Sequence, residues 1–369
     1  MNDFMSHFNS IPEPRLKRKR QHELLDILFL SISAVLCGAE GWEEIEDFGH
    51  AKLAWLQQFF PYKNGIPRHD TVARVLSRLD PTALQHSFMS WINAACELTD
   101  GEVVAIDGKT VRRSFKGGDR KSAIHMVSAW ACQNNVVLGQ RKVNEKSNEI
   151  TAIPALLELL ELKGSIVTID AMGCQTAIAD KITQQGADYV LALKGNQGNL
   201  SEEVNDLFEQ PAHAELKEQS AEEIDTGHGR IEKRICRQIQ ITNKHLLEGH
   251  KWEKLKTIIE ITSMREVRGS TTTEKRYYIS SLALDAKKAA SAIRQHWSVE
   301  NKLHWVLDVT FREDESRIRR GNGAEVMSTL RRLTLNLLKT NTTSNASLKR
   351  KRKIAALDEK LRTELIKGF

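Results

Sequence analysis

Little in these 369 residues speaks for a secreted or membrane-bound protein. Cysteine is sparse and scattered, at Cys37, Cys96, Cys132, Cys174 and Cys236, with no C-x-x-C pair. An odd number so dispersed excludes a disulfide framework, and the twelve histidines form no zinc-like cluster with the thiols. A reduced, cytoplasmic chain is expected. The most apolar stretch, Leu24 to Ala39, is broken by Asp26, Ser31 and Ser33. It is also shorter than the ~20 residues that a membrane-spanning helix needs. The opening, "MNDFMSHFNSIPEPRLKRKR", has no apolar core followed by a cleavage site, so no secretory signal is expected. No internal repeat is present.

What the chain does have is a globular composition, 40% hydrophobic and 28% charged, and a length suited to about two or three domains. The formal net charge of +6 leans towards an anionic partner such as nucleic acid.

Residues 1–99 read as helical, with apolar residues at helical spacing over Leu16–Cys37 and Gly41–Phe60. A further helix should be capped by Asp70 or Thr71, end at Asp80-Pro81, and be followed by one over Thr82–Leu98. Near residue 100 the pattern changes. Val103–Ile106, Ala123–Ala131, Val136–Val143, Ile166–Ile169 and Tyr189–Leu193 read as strands, with helices over Ile150–Leu162 and Gln175–Gln185. Three strands, helix, strand, helix, strand is a mixed α/β sheet. Residues 201–284 turn acidic and polar and then strand-like again, which reads as an insertion. Asp285 should then cap a long helix that runs to at least His304. The three segments expected are a helical one over 1–99, a catalytic one over 100–340, and a linker with a short helix over 341–369.

Three acids stand out. Asp107, in "VVAIDGKTVRRS", follows a buried strand directly, and Asp-Gly there also suits a hairpin turn. Asp170, in "GSIVTIDAMGCQ", repeats the arrangement, and as a lone residue it suits a helix cap. Two strand-end aspartates in one sheet point instead to a shared site, since ligand sites in α/β sheets gather at strand ends. Glu300, in "IRQHWSVENKLHW", is expected on the helix face shared by Ile293, Trp297 and Leu303, where an acid needs a cationic partner. Asp308, Glu313 and Asp314 are the fallback acids. Three carboxylates from two strands and a helix suit Mg²⁺ or Mn²⁺, hard cations that take oxygen ligands. A pair of such ions about 3.5–4 Å apart serves phosphoryl displacement.

The segments "AIDGKTVRRS", "SNEITAIPALLELL", "TIDAMGCQTAIADKI", "GADYVLALKGNQGNL", "GHGRIEKR", "RYYISSL" and "HWSVENKLHWVLDVTFRED…RIRRGN" together resemble the DDE transposases of bacterial insertion sequences. The subgroup is the H-repeat-associated one, linked to Rhs elements, and the likeness spans nearly the whole chain. It implies an α/β, ribonuclease-H-like mixed sheet with a mostly β insertion, preceded by a small all-helical N-terminal domain. It implies an Asp-Asp-Glu triad at Asp107, Asp170 and Glu300, holding two Mg²⁺ or Mn²⁺ ions as both metal ligands and catalytic groups. The activity implied is cleavage of double-stranded DNA at element ends and strand transfer into target DNA, by a homo-oligomer. Two alternatives stay open: a catalytically silent relative that only binds DNA, and a different metal-dependent nuclease or phosphohydrolase.

The likeness has a gap. A wider group of these transposases surrounds its glutamate with Tyr, two residues, Arg, three residues, Glu, six residues and Lys. Here those positions hold Ile293, His296, Glu300 and Leu307, so only the glutamate fits. His296 and His304, four residues either side of Glu300, are candidate phosphate donors in place of the missing groups. Lys109, Arg112, Arg113, Lys194, Asn196 and Gln197 follow strands and are candidates for gripping DNA phosphates at the rim of the site. The basic runs Arg15–Arg20 and Lys349–Lys353 read as solvated ends with a non-specific, salt-sensitive attraction to DNA. The helix beginning near Asp70 has a helix-turn-helix flavour, with Arg68, His69, Arg74 and Arg78 available to DNA.

Overall fold

The computed structural model describes residues 2–115, 119–144, 148–209, 216–227, 230–241 and 251–368, apart from the side chains of 2–4, 19 and 196. Five helices come first: α1 (Asn2–Phe8), α2 (Leu24–Leu36), α3 (Trp42–Leu56), α4 (His69–Leu76) and α5 (Pro81–Ala95). All but one residue of α2 are buried, as its apolar positions all round the axis require. It starts at Leu24 and not at Leu16, because the charged run before it folds as a short 3₁₀ turn, Lys17–Lys19. Asp80 caps α5 by accepting from the Thr82 amide, with Pro81 in the first turn where its missing N–H costs nothing. Neither Asp70 nor Thr71 caps α4; Arg68 stands at that position without a side-chain bond, and Asp70 falls inside the first turn.

The α/β part follows: β1 (Val103–Thr110), β2 (His125–Ala131), β3 (Val136–Lys142), α6 (Glu149–Leu157), β4 (Ile166–Ile169), α7 (Thr176–Gln184) and β5 (Asp188–Leu193). After α8 (Gly198–Glu209) come four longer antiparallel strands, β6 (Glu218–Gly227), β7 (Arg230–Gln240), β8 (Thr257–Val267) and β9 (Ser270–Ser280). All nine strands form one sheet in the order β3-β2-β1-β4-β5-β9-β8-β7-β6. The first three are antiparallel, β4 runs parallel to β1 and β5 parallel to β4. This is the expected ribonuclease-H-like mixed sheet, extended by the β-rich insertion through the pairing of β9 with β5. The acidic start of that insertion hides two elements that the pattern does not announce, α8 and β6. β6 is exposed at nearly every position, so it lacks the alternation that marks a half-buried strand.

Past the sheet the chain is helical: α9 (Ala286–His296), a wide π-turn over Glu300–His304, α10 (Trp305–Val309), α11 (Gly323–Thr340), α12 (Leu348–Leu357) and α13 (Glu359–Ile366). α11 is almost wholly buried and packs on both α2 and β3, joining the N-terminal helices to the sheet. The C-terminal basic run is solvated only in part, with Lys349, Arg350 and Lys353 exposed. Lys351 donates to the carbonyls of Leu338 and Asn341, and Arg352 bonds the carbonyls of Thr310 and Val35, so both are buried. Arg15 is likewise held, by Glu13 and the carbonyl of His22. The indoles of Trp55 and Trp91 donate to Thr363 and the Gly368 carbonyl, fastening the tail to α3 and α5. All five cysteines are free.

Candidate active site

β1 continues past Ile106 through Asp107, Gly108, Lys109 and Thr110, pairing Asp107 with Ser128 and Gly108 with Val127 on β2. Asp107 is therefore a strand residue, and the hairpin-turn reading of Asp-Gly fails. Parallel pairing of β1 with β4 sets Ile106 beside Ile169. One residue further on, Asp107 and Asp170 stand side by side at the end of that ladder. The Oδ1 of Asp170 accepts the amides of Met172 and Gly173 and caps a 3₁₀ turn. The capping role foreseen for a lone aspartate is real, and it fixes this carboxylate while its other oxygen takes no part in the cap.

The third element is the π-turn. The Trp305 amide donates to the Glu300 carbonyl, a five-residue step in place of the usual four. Such wide turns concentrate at functional sites. α9 ends at His296 with Trp297 as its C-cap, and the π-turn breaks the 3.6-residue rhythm beyond it, so the buried stripe expected to include Glu300 does not exist. Ile293 and Leu303 are buried, but Trp297 is 48% exposed and the Glu300 side chain 60% exposed. Glu300 instead reaches the site from the solvent side.

His304 meets both acids. Its Nδ1 lies 3.6 Å from Asp107 Oδ2 and 3.7 Å from Glu300 Oε2. One ligand atom from each of Asp107, Glu300 and His304 falls within 4.8 Å of the others. Burial, with Arg332 and Lys109 nearby, pushes the imidazole down to about 3, so it is neutral at physiological pH. A neutral imidazole facing two carboxylates is a metal-ligand arrangement more than a phosphate clamp. Asp107 responds to the same crowding. Burial raises its carboxyl to about 7, the Gly108 amide opposes the rise, and Glu300, Asp170 and Glu149 add to it. Acids that cannot all ionise comfortably are what a divalent cation relieves, and the donor set of oxygens plus one imidazole suits Mg²⁺ or, better, Mn²⁺.

Two residues that the sequence reading missed lie close to this site, on the opposite face of β1 from the Asp107 side chain. Glu149, in the first turn of α6, bonds His125 Nε2 at 2.5 Å, and His125 Nδ1 meets the Thr110 hydroxyl at 2.8 Å. The pair crosses directly over Gly108, where a Cβ would lie 2.1 Å from Glu149 Oε1 and 2.5 Å from His125 Nε2. The only signal was Glu149 in the quoted "SNEITAI" segment.

The remaining candidates divide. Lys109 is buried, with its ammonium 2.8 Å from Asp308 and 2.9 Å from Asp314, so it is a strut and not a free phosphate grip. Arg112 contacts Asp314 at 3.2 Å yet keeps an 82% exposed side chain, and Arg113 is exposed beside it. The fallback acids are committed elsewhere. Glu313 is fully buried against Arg332 at 2.9 Å, and Arg332 in turn reaches Ser128, the strand partner of Asp107. His296 bonds the Thr168 hydroxyl on β4 at 3.0 Å and is driven down to about 4 by burial, so it braces the sheet and carries no charge for phosphate. Lys194 is exposed after β5, while Gln197 donates to the Cys174 carbonyl and ties that loop to the one after Asp170. The side chain of Asn196 lies outside the described residues. In and flanking α4, Arg68, Arg74 and Arg78 are exposed, whereas His69 is bound by Glu46 at 2.7 Å.

Residues 98–337 match the family model described as "Transposase DDE domain", and residues 5–92 match its companion, "DDE_Tnp_1-associated". The chain belongs to the DDE-domain transposases. Among these transposases, "Putative transposase YncI" of Escherichia coli O157:H7 is 47% identical over 97% of this chain and 93% of its own length. "H repeat-associated putative transposase YhhI" of Escherichia coli (strain K12) is 43% identical over 100% of this chain and 98% of its own. A solved structure titled "Cryo-EM structure of piggyBac transposase synaptic complex with hairpin DNA (SNHP)" aligns over 98% of this chain and 77% of that chain, at 10% identity and a TM-score of 0.42. Among the described residues no helix is long and apolar enough to cross a membrane.

Proposed function

We propose that this chain cuts DNA at the ends of a mobile element and joins the freed ends to target DNA, using Asp107, Asp170, Glu300 and His304. The observation that carries the reading is the convergence of Asp107 with Glu300 and His304, beside Asp170 on the neighbouring strand. Asp107, Asp170 and Glu300 would hold two Mg²⁺ or Mn²⁺ ions, with His304 Nδ1 an added ligand to one of them. Bound there, such ions supply Lewis-acid activation of the attacking oxygen and stabilise the leaving one. In the first step water attacks a phosphodiester, the P–O3′ bond breaks, and a 3′-hydroxyl and a 5′-phosphate are left. In the second, that 3′-hydroxyl attacks a target phosphodiester and displaces another 3′-oxygen, so the number of phosphodiester bonds is conserved.

The residues divide the labour. The cap from Met172 and Gly173 keeps Asp170 in one orientation, and the Gly108 amide does the same for Asp107. The Lys109–Asp308–Asp314 cluster locks β1 to the segment after the π-turn, which holds Glu300 and His304 against Asp107. Arg112, Arg113 and Lys194, all exposed, are the candidates for positioning the DNA backbone, together with Asn196 and Gln197. We place the reaction in the cytoplasm, carried out by a homo-oligomer on DNA.

A silent, DNA-binding relative is the second reading, and one observation favours it. The positions of the absent tyrosine and lysine are filled by Ile293 and Leu307, which pack in the core and offer DNA nothing. A labelled duplex of the DNA flanking this reading frame separates the two. Metal-dependent cutting by the wild type, lost in Glu300→Gln with binding retained, supports the active enzyme; binding without cutting by the wild type supports the silent one.

A further inference from the structure

A second site lies where the N-terminal helices meet the segment after α10. A cavity of about 590 Å³ opens between the α2–α3 connection, Glu40 to Glu43, and the stretch Arg312 to Arg320. Arg331 of α11 forms part of its lining. The "RIRRGN" segment thus builds a wall of this cavity, a role that the carboxylate site does not use.

The charges do not balance. Arg312 takes up Glu40 and Glu315. Arg319 is spent on the Arg113 carbonyl at 2.9 Å and lies over the Phe115 ring at 4.2 Å. Arg317 and Arg320 are exposed, and their side chains have no hydrogen bond or ion pair among the described residues. Arg331 is more telling. Its side chain is 3% exposed, and its nearest acid, Glu313 at 4.0 Å, bonds Arg332 more closely at 2.9 Å. Arg331 Nη2 is buried with no hydrogen-bond partner. A buried guanidinium group left this way is costly unless an anion meets it.

We propose that this cavity binds a phosphate group, with Arg331 at its base and Arg317 and Arg320 at its mouth, and that the phosphate belongs to the DNA backbone. Guanidinium donors suit phosphate oxygens in paired geometry. The source of the phosphate rests on the transposase reading; the anion site itself does not. Its position supports DNA as the source. The Arg319–Arg113 bond and the Arg112–Asp314 pair join the cavity to the end of β1, so one basic strip runs from the seam towards Asp107. DNA held there would touch both the N-terminal helices and the catalytic sheet.

The test uses the full-length protein and three variants: Arg317→Gln with Arg320→Gln, Arg331→Met, and Lys360→Gln as an exposed control on α13. Binding of a duplex is measured across salt concentrations, and melting is followed with and without inorganic phosphate. The double variant should lower the log–log salt slope by about two, since each lost phosphate contact removes about one. Lys360→Gln should leave the slope within its error. Phosphate should raise the wild-type melting temperature and fail to do so in the double variant. Arg331→Met should melt no lower than the wild type without phosphate and gain nothing from it. If the wild type ignores duplex but shows the arginine-dependent phosphate shift, the anion site stands and both its DNA source and the transposase reading fall. A slope and a phosphate response unchanged in the double variant overturn the proposal.

Discussion

Asp107→Asn should make the metal-free protein more stable at alkaline pH, although it removes a central residue of the site. The folded protein raises this carboxyl from 3.8 to about 7, first by burial and then by Glu300, Asp170 and Glu149. At about 1.36 kcal/mol per unit, a rise of about three units is a penalty of about 4 kcal/mol on the ionised form. Neighbouring carboxylates share part of that penalty, so a gain of about 2–4 kcal/mol is expected from the amide. The sign follows from linkage. With the folded value above the unfolded one, stability is full below pH 4 and is lost as pH rises through 7. The advantage of the amide should therefore be absent near pH 4 and complete by about pH 8. Urea unfolding of both proteins at several pH values, in chelator, measures it. Adding Mn²⁺ at about a thousand times its Kd should reverse the order at pH 8, because a cation bound only to the folded wild type then stabilises it by about 4.1 kcal/mol. An amide variant that is less stable than wild type at pH 8 in chelator would refute the crowding of charge at this site.

Three further outcomes follow from the geometry. His304→Gln should weaken Mn²⁺ binding by about 10-fold or more and Mg²⁺ binding by less, since imidazole suits transition metals better; calorimetry of both ions checks this, and equal losses would remove His304 from the ligand set. Gly108→Ala should cost about 1–3 kcal/mol by forcing apart the His125–Glu149 pair, read as a lower urea midpoint, and the double variant Gly108→Ala with Glu149→Ala should recover part of it. Lys109→Met leaves Asp308 and Asp314 facing each other and should destabilise by about 2–4 kcal/mol, whereas Arg112→Gln should change stability by less than about 0.5 kcal/mol and weaken DNA binding instead.

The sheet was legible because its core strands are short apolar runs ended by polar residues, and the two aspartates follow such runs directly. β1 was read too short. Asp107 to Thr110 look like a turn, yet their side chains are satisfied by partners distant in sequence: Asp314 for Lys109, and the His304 ring beside Asp107. Glu300 was identified through the wrong argument. The family likeness pointed to it, but the buried stripe was an assumption of regular helix, which the end of α9 at His296 and the π-turn after it both violate. The pairing of His304 with the acids was invisible for the same reason that Lys109, Lys351 and Arg352 were misjudged. Periodicity reports which face of an element is apolar; it says nothing of which distant charge meets a buried one. Lys351 and Arg352 read as solvated, and only the packing of α12 beside α11, the end of α10 and α2 reveals the backbone carbonyls that receive them.

The central claim is that these acids cut DNA, and nicking of a plasmid carrying the DNA that flanks this reading frame tests it most directly. Wild type and Asp170→Asn would be compared with Mg²⁺, with Mn²⁺ and in chelator, after both are shown to bind the same duplex. The account predicts metal-dependent cuts at the element ends by the wild type alone. Cuts of equal rate by Asp170→Asn, or cuts that persist in chelator, would contradict it.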